Sequence, residues 1–363
     1  MTPQKAPNKM KVCFLINKLA IGGSERKIVR VANQMSDRGL DVTLCCMKND
    51  SDSFLKSTLN SSVNLVELTG NANLLKYFVF SRFNTVFLLN SFPALFAPWI
   101  RLNNLTSKIV YLNNTSILPD SYSTFKLGLL KFSARFISLI VYGAENQKKT
   151  WFDKYNFHRF NSLVIYNGVD LSLFKKRVNV NNDKLQIVMV GQLRKEKNHI
   201  EALNVLKTLK DNGINYHLSI VGGDKGDGAK DKLQKIVNHL GLLNNVTFHG
   251  EIKNVTDILN TADVFLLCSN AVETFSNAVL EAMSMSLSVV ISDVGGAKEM
   301  VNSGVDGYVY SSGDEKALYD ILLRMQDKDL RENISSHARL KVEREFSSDI
   351  MMENYIKLVK GVH

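Results

Sequence analysis

Cysteine is scarce in this sequence, and its spacing excludes common structural and metal sites. The 363 residues include four cysteines, two of them adjacent at Cys45 and Cys46. No spacing fits a disulfide framework or a zinc site, so we expect reduced cysteines in the core. We also expect no metal centre. A D-x-D pattern, at Asp50 and Asp52, stands in a polar stretch after a predicted strand and is interpreted as a loop.

Long apolar runs are also missing. The longest uncharged stretch, residues 83–100, contains two asparagines and two prolines, which favours a buried strand followed by a helix over a membrane span. The first ten residues are polar, and the apolar run at residues 12–16 is too short for the core of a signal peptide. We therefore expect a cytoplasmic protein without a targeting segment.

The glycine and charge patterns disfavour two further classes of protein. A dinucleotide site needs G-x-G-x-x-G after a strand, whereas Gly22 and Gly23 are adjacent and residues 222–228 have a different spacing. A dehydrogenase is therefore not expected. Lysine and arginine are scattered rather than interleaved with aromatic residues, so we expect no nucleic-acid partner.

Apolar runs alternate with helix-like stretches along the whole chain, which predicts parallel sheets of the α/β class. With 45% apolar residues, a chain of this length can build two hydrophobic cores. A polar, Asn-rich linker at residues 175–184 gives domains of residues 1–174 and 175–345, followed by a helix within residues 346–363. The predicted strands are residues 12–16, 42–46, 86–89, 109–112 and 139–142, then 187–190, 217–221, 246–248, 264–267 and 289–291.

The segment from Glu273 to Glu281 has two carboxylates eight positions apart. Eight residues of helix turn by about 800°, so both carboxylates could not share one helix face. We predict that Glu273 lies in a loop and that a helix begins near Ser276, whose hydroxyl caps the first N–H groups. A phosphate could bind at this helix N-terminus, with a carboxylate on either side for hydroxyl groups. A sugar nucleotide has this layout.

A second loop follows the next predicted strand, at residues 287–292. It contains Gly295 and Gly296, with Glu299 just beyond. Ligands of open parallel sheets bind outside the carboxyl ends of strands, and Glu273 and the glycine pair both stand at such ends. We expect these residues to shape one pocket.

Six motifs in order along nearly the whole chain carry a family resemblance. They are Gly22-Gly23-Ser-Glu25-Arg26, Ile165-Tyr-Asn167-Gly168-Val-Asp170, Val190-Gly191-Gln192-Leu-Arg194-Lys-Glu-Lys197, Glu273 to Glu281, Gly295-Gly296-Ala-Lys-Glu299 and Asp306-Gly307. Together they resemble the family 4 glycosyltransferases, a retaining group. The resemblance implies the GT-B fold: two Rossmann-like, doubly wound domains facing each other across a cleft, with the C-terminal helix crossing back to the first domain.

The resemblance also implies roles for individual residues. Arg194 and Lys197 would neutralise the diphosphate of a nucleotide-sugar donor, although Gln192 stands at the commonest arginine position. Glu273 would contact the donor sugar and Glu281 the ribose. The catalytic set is then Glu273, Arg194 and Lys197, and the donor-binding set is Gly22, Gly23, Gln192, Asn113, Thr274, Phe275, Ser276, Glu281, Gly295, Gly296 and Glu299. Neither a metal nor a cofactor is expected, because the nucleotide-diphosphate sugar is a substrate.

One position departs from the family pattern. Many members place a histidine after the strand that corresponds to residues 109–112, where it contacts the donor sugar. Here no histidine precedes His158, and Asn113 and Asn114 stand at that point. An amide can donate the same hydrogen bond without charge.

The implied reaction is transfer of the sugar to a hydroxyl of a cell-surface glycan or a lipid-linked acceptor, as in polysaccharide, lipopolysaccharide or capsule synthesis. Two alternatives with the same fold stay open. One is a sugar-nucleotide epimerase, although no histidine cluster is seen to supply its acid–base chemistry. The other is a glycosyltransferase-like subunit that binds without turnover.

Positive charge is concentrated in the first 170 residues, which have 21 basic and 10 acidic side chains against 24 and 25 in the rest. In the resembled family the first domain faces the acceptor, so this charge predicts an anionic acceptor or an anionic membrane surface. Peripheral contact with the inner face of the cytoplasmic membrane is one interpretation of residues 121–139, and an ordinary core-facing helix with a solvated flank is the other. As a helix this segment would align Phe125, Leu129, Phe132 and Phe136, with Lys131 and Arg135 beside them.

Overall fold

The computed structural model describes residues 9–19, 23–48, 53–68, 70–175, 184–224, 226, 228–252 and 254–361. They form two compact units: Met1–Ile165 with Met351–His363, and Tyr166–Ile350. The predicted linker lies outside the described residues except at its two ends. All four cysteines are buried and none forms a disulfide. In the described part of the chain, no helix combines the length and the apolar character needed to cross a bilayer.

The first unit is built on a parallel sheet with the order β3-β2-β1-β4-β5-β6-β7 among its described residues. The order reverses between β1 and β4, which is the Rossmann arrangement. Its strands are β1 (Lys11–Ile16), β2 (Asp41–Cys46), β3 (Asn64–Glu67), β4 (Thr85–Leu89), β5 (Lys108–Asn113), β6 (Leu139–Tyr142) and β7 (Ser162–Val164). Its helices are α1 (Gly23–Asp37), α2 (Ser53–Ser57), α3 (Asn71–Phe80), α4 (Ser91–Ala94), α5 (Ala97–Asn103), α6 (Thr124–Ala134) and α7 (Glu145–Tyr155).

The second unit repeats this arrangement, with the order β10-β9-β8-β11-β12-β13 in its described residues. The order reverses between β8 and β11. Its strands are β8 (Leu185–Val190), β9 (Tyr216–Val221), β10 (Val246–Gly250), β11 (Val264–Leu267), β12 (Ser288–Ser292) and β13 (Tyr308–Tyr310). A 3₁₀ turn (Lys195–Lys197) is followed by α8 (His199–Asp211), α9 (Ala229–His239), α10 (Thr256–Leu259), α11 (Asn277–Ser284), α12 (Ala297–Met300), α13 (Glu315–Arg324) and α14 (Lys328–Glu345).

The last helix, α15 (Ser348–Lys360), begins in the second unit and continues in the first. The Tyr355 ring is 1% exposed and meets the Phe87 ring edge-on, with centroids 6.0 Å apart. Lys108 Nζ donates a hydrogen bond to the carbonyl of Leu358 at 3.0 Å. The predicted return of the C-terminal helix to the first domain is therefore seen in the structure.

Residues 166–174, which the sequence analysis assigned to the first domain, lie in the second unit. Val169 forms a parallel bridge with Ser347, and Arg339 donates a hydrogen bond to the carbonyl of Phe174 at 2.8 Å. These contacts with α14 and with the residues just after it attach the segment that precedes the polar linker to the second unit.

The packing of α15 gives a first prediction. Because Tyr355 is buried against the first sheet, Tyr355→Ala should lower the free energy of unfolding by about 3–5 kcal/mol. Both tryptophans, Trp99 and Trp151, are in the first unit, so urea unfolding followed by tryptophan fluorescence reports on it. Glu353→Ala, at an exposed position of the same helix, is the control. Equal unfolding midpoints for the two variants would contradict this packing.

Candidate functional site

Two loops meet at the carboxyl edge of the second sheet, at the point where the strand order reverses. One follows β8 and the other follows β11. Lys197 Nζ lies 2.5 Å from Glu273 Oε2, and the side chains are 21% and 14% exposed. The Ser269 hydroxyl donates to the same carboxylate oxygen at 3.3 Å, and the amide of Asn270 donates to the carbonyl of Glu196 at 2.9 Å. Open parallel sheets bind their ligands at this point.

The turn that carries Lys197 is fixed from behind. Asn198 has a φ of 48° and donates through Nδ2 to Glu201 Oε2 at 2.5 Å, while Glu201 Oε1 accepts from the amide of Gly313 at 3.2 Å. Burial raises the pKa of Glu201. Burial, with the nearby Lys197, lowers the pKa of His199 to about 4. His199 is therefore uncharged at neutral pH, and Lys197 is the cation that this turn presents to Glu273.

The loop after β8 approaches the loop after β9 so closely that a side chain is excluded. A Cβ on Gly222 would lie 1.7 Å from the carbonyl oxygen of Gly191. Gln192 is half-buried, and its carbonyl accepts from the amide of Arg194. The Arg194 side chain is exposed and, within the described residues, forms no ion pair. Gln192 and Arg194 therefore lie on the same loop as Lys197.

A second close approach fixes the loop that carries Glu273. Gly295 has a φ of 63°, and a Cβ there would lie 1.7 Å from the carbonyl oxygen of Glu273. The amide of Gly296 donates to the carbonyl of Thr274 at 2.9 Å. Glu299 follows, half-buried, in α12. The loops after β11 and β12 are therefore joined backbone to backbone.

The ring of Phe275 anchors the same loop. It is 4% exposed, stacks on Tyr166 at 4.9 Å and meets Phe346 edge-on at 5.2 Å. Asn167 Nδ2 donates to the carbonyl of Phe275 at 3.0 Å, and a Cβ on Gly168 would lie 2.6 Å from the carbonyl oxygen of Ser347. The mid-chain Asn-Gly motif therefore supports the Glu273 loop from the side.

Helix α11 begins at Asn277, one residue after the predicted cap. Ser276 is buried with extended backbone, but its side chain forms no capping hydrogen bond. The predicted hydroxyl cap is therefore wrong, and the first-turn N–H groups of α11 have no side-chain cap. Glu281 lies in the second turn of the helix and is half-buried.

The first unit has its own polar group at the carboxyl edge of its sheet. Asn113 is 1% exposed, and its side-chain oxygen accepts a hydrogen bond from the amide of Thr115 at 3.1 Å. This side chain therefore stabilises the loop that follows β5. Asn114 Oδ1 accepts from Lys27 Nζ, on α1, at 2.8 Å. Burial, and then the nearby Arg30, lowers the pKa of Lys27 to about 8. Gly23 is the first residue of α1, and Gly22 lies outside the described residues.

The predicted residues of the second unit converge in part. Lys197, Glu273, Thr274, Gly295 and Gly296 form one contacting group, whereas Phe275 faces the aromatic cluster. The residues that support this group were not predicted as such: Ser269, Asn198, Glu201, Tyr166 and Asn167. One had a sequence signal, since Asn198-x-x-Glu201 before an apolar run is the pattern of a helix start. No cluster of three or more His, Cys, Asp or Glu side chains suited to a metal ion occurs in the part of the chain described.

Known sequences resemble the half of the chain that contains the second unit. Residues 172–341 match the family model of the glycosyl transferases group 1. The capsular polysaccharide biosynthesis glycosyltransferase CapM of Staphylococcus aureus is 28% identical over 173 residues, 47% of this chain and 45% of that protein. The chain thus spans about half the length of this relative and of several other curated relatives it matches. The predicted family resemblance is confirmed over this part.

Two longer comparisons cover nearly the whole chain. An α-1,4-N-acetyl-D-galactosaminyltransferase of Campylobacter jejuni, named for its GalNAc-containing diNAcBac-PP-undecaprenol substrate, is 24% identical over 97% of this chain and 99% of its own. The crystal structure of Anabaena HepE with UDP-glucose superimposes with a TM-score of 0.82 at 20% identity, over 97% of this chain and 100% of that one. The predicted α/β class, with two Rossmann-like domains of the GT-B fold, is confirmed.

The contact between Gly295 and Glu273 gives a second prediction. Gly295→Ala should lower the free energy of unfolding by roughly 3 kcal/mol or more, because the new Cβ collides with a carbonyl oxygen as well as straining φ. Gly304→Ala is the matched control, with a φ of 84° and no atom within 4 Å of its Cβ. It should cost only about 1 kcal/mol. Thermal and urea unfolding followed by circular dichroism measure both, and equal losses would refute the close approach.

Lys27 gives a third prediction. Its pKa is about 8 in the folded chain against 10.5 for an unperturbed lysine, so burying the protonated amine destabilises the protein below pH 8. This cost falls as the pH rises from 8 to 10.5. The free energy of unfolding of the wild type, minus that of Lys27→Met, should therefore rise by about 2 kcal/mol from pH 7 to pH 10. Urea unfolding across this range tests it, and a constant difference would contradict it.

Proposed function

We propose that this protein, whose residues 172–341 match the family model of the glycosyl transferases group 1, is a retaining, metal-independent glycosyltransferase. It moves a sugar from a nucleotide-diphosphate donor to a hydroxyl of a cell-surface glycan or a lipid-linked acceptor. Polysaccharide, lipopolysaccharide or capsule synthesis is the proposed context. The relatives from Staphylococcus aureus and Campylobacter jejuni support this assignment by their names.

The observation that carries the proposal is the half-buried pair of Lys197 and Glu273 at the point where the strand order reverses. An ammonium group has three N–H donors, and Glu273 takes one of them. The others can bind diphosphate oxygens, while the second carboxylate oxygen of Glu273 can accept from a sugar hydroxyl. One side-chain pair can thus bind both the diphosphate and the sugar, which flank the bond that breaks.

The chemistry needs cations more than it needs an acid or a base. The bond between the anomeric carbon and the diphosphate oxygen breaks, a bond from that carbon to the acceptor oxygen forms, and the acceptor proton passes to the leaving phosphate. Negative charge grows on the diphosphate as the sugar becomes oxocarbenium-like. Lys197, Arg194 and the uncapped amides of α11 are the groups that stabilise this charge.

Metal independence follows from this assignment as part of the proposal. The side-chain cations and helix amides take the place that a divalent ion has in metal-using transferases. Asp50 and Asp52, which form a D-x-D pattern, lie outside the described residues. Turnover should therefore persist in excess chelator, and its abolition would favour a metal-dependent mechanism.

The acceptor and the location follow from charge. The net charge of +11 over the first 170 residues favours an anionic acceptor such as a lipid diphosphate, the linkage that the name of the Campylobacter relative states. We place the protein in the cytoplasm, at the inner face of the cytoplasmic membrane. The solved complexes of Anabaena HepE with UDP and UDP-glucose make uridine donors the first to test.

An acceptor-dependence assay separates the proposal from its two alternatives. Nucleotide release is measured for a panel of sugar nucleotides with and without a glycolipid extract. A transferase releases nucleotide when acceptor is added, and the anomeric configuration of its product shows retention. An epimerase converts the sugar nucleotide without release, and a binding subunit shows ligand-induced thermal stabilisation alone.

The pair itself gives a fourth prediction. Glu273→Gln should lower kcat at least roughly 100-fold, since the carboxylate that orients the donor sugar is lost. Nucleotide diphosphate should bind this variant as tightly as the wild type or more tightly, because Lys197 is freed from its counter-charge. Single-turnover assays and calorimetric titration with UDP measure the two effects.

The neighbouring Glu196 supplies the control. It is exposed, and its backbone carbonyl accepts a hydrogen bond from the amide of Asn270. Glu196→Gln keeps this contact, so it should leave kcat within about twofold of wild type. Unchanged kcat in Glu273→Gln would remove this residue from the catalytic set. A loss of UDP affinity in that variant would mean that the carboxylate does not restrain Lys197.

A further inference from the structure

The outer side of α6 exposes large apolar side chains. Phe125, Leu129 and Phe132 are 73%, 42% and 50% exposed, whereas Leu130 and Ala134 form the face buried on the sheet. The interpretation of these three residues as a core-facing row is therefore wrong. Phe136 alone of the predicted row is half-buried, and its ring contacts that of Phe132 at 5.4 Å.

Helix α5 extends the exposed apolar surface. It packs beside α6, since Arg101 donates to the hydroxyl of Ser138, just after α6, at 2.9 Å, and Ser133 of α6 donates to the carbonyl of Leu95 at 3.2 Å. Of the seventeen large apolar side chains exposed among the described residues, nine lie within residues 80–132. Those on or next to α5 are Trp99, Leu102 and Leu105. An exposed apolar concentration of this kind marks an interaction surface.

Positive charge accompanies this surface. Residues 70–144 contain seven lysines and arginines and a single acidic residue, Asp120. Beside Phe132 a cavity of about 760 Å³ is lined by three cations and a histidine, with no carboxylate among its lining residues. The lining cations are Lys131, Arg135 and Arg159, and the histidine is His158.

Exposed apolar side chains and positive charge occur together on this surface, and together they indicate the kind of partner it binds. A second copy of the same surface would bring like charges together, which opposes a symmetric contact. A bilayer with anionic headgroups satisfies both features, because apolar side chains enter the acyl boundary while lysine and arginine meet phosphates. Tryptophan is also enriched at this interface.

We propose that the outer side of α5 and α6, with the adjoining cationic cavity, docks the protein on an anionic phospholipid bilayer. The proposal deepens the proposed function, since a lipid-linked acceptor lies at such a surface. It is tested without any sugar nucleotide, so its failure and the failure of transferase activity are separate results.

Vesicle binding is measured by sedimentation and by the fluorescence of Trp99. Wild-type protein should bind phosphatidylcholine vesicles containing phosphatidylglycerol and should not bind phosphatidylcholine alone. Trp151 is fully buried, so emission should shift to the blue and be quenched by brominated lipid only through Trp99. Trp99→Phe should abolish the optical signal while sedimentation persists.

Two sets of variants locate the surface. Lys131→Gln/Arg135→Gln should weaken binding by roughly 30-fold, whereas Lys232→Gln/Lys235→Gln, an equal charge change on α9 of the second unit, should not. Phe125→Ser/Leu129→Ser/Phe132→Ser should weaken it roughly tenfold or more, with Leu243→Ser, at an exposed apolar position of the second unit, as control. All these side chains but the half-buried Lys131 are exposed, and unchanged thermal unfolding verifies each fold.

Three outcomes would overturn the proposal. The first is absence of binding to anionic vesicles, or equal binding to neutral ones. The second is equal weakening by the α6 variants and their controls. The third is a dimer in light scattering that the apolar α6 variant dissociates, since a second copy would then cover this face.

Discussion

The carbonyl oxygen of Glu273 lies where any side chain at Gly295 would have to be, and the arrangement of the site depends on this contact. It joins the ends of two adjacent strands, so Glu273 cannot move without the loop after β12. Lys197 then reaches Glu273 across the reversal in strand order. The pair is largely removed from water, and the cost of desolvating both charges offsets much of their attraction, so its main value is not stabilisation of the fold. Its value lies in preorganisation, because charges held in place need no rearrangement when a ligand binds.

The ten predicted strands were found because strands buried on both faces are continuous apolar runs. β3, β7 and β13, which were not predicted, lie at the sheet edges and are only 4, 3 and 3 residues long, so no long apolar run marks them. The site also divides into residues with a local sequence signal and residues without one. Glu273 and Gly295 could be predicted, because each follows a predicted strand. The contact of Asn167 with Phe275, 108 positions away, could not be predicted, because only the fold brings these two segments together. The Ser276 cap failed because a capping residue type does not determine the side-chain hydrogen bond.

The two faces of the first sheet have different partners within that unit. Residues of α1 and of the returning α15 cover one face, with Phe14 and Tyr355 in the same core. Residues of α3 and α5 cover the other face together with Cys13 and Leu15, and α6 lies beside them. The returning helix therefore occupies the face opposite the one on which α5 and α6 expose apolar groups. The surface with aromatic side chains and excess positive charge is left outermost on its own side of the sheet.

The charges of the second unit determine which groups could neutralise the diphosphate of the proposed donor. His199 is neutral, and Lys197 is already shared with Glu273. A diphosphate brings about two negative charges at neutral pH, so the pair alone cannot neutralise it. Arg194, exposed on the same loop, and the first-turn amides of α11 supply further positive charge. Because Arg194 forms no ion pair with any described residue, it can adjust to a ligand, whereas Lys197 is held by Glu273. In the proposed transferase, one cation held in place and a second, adjustable one on the same loop would together stabilise the charge that grows on the diphosphate.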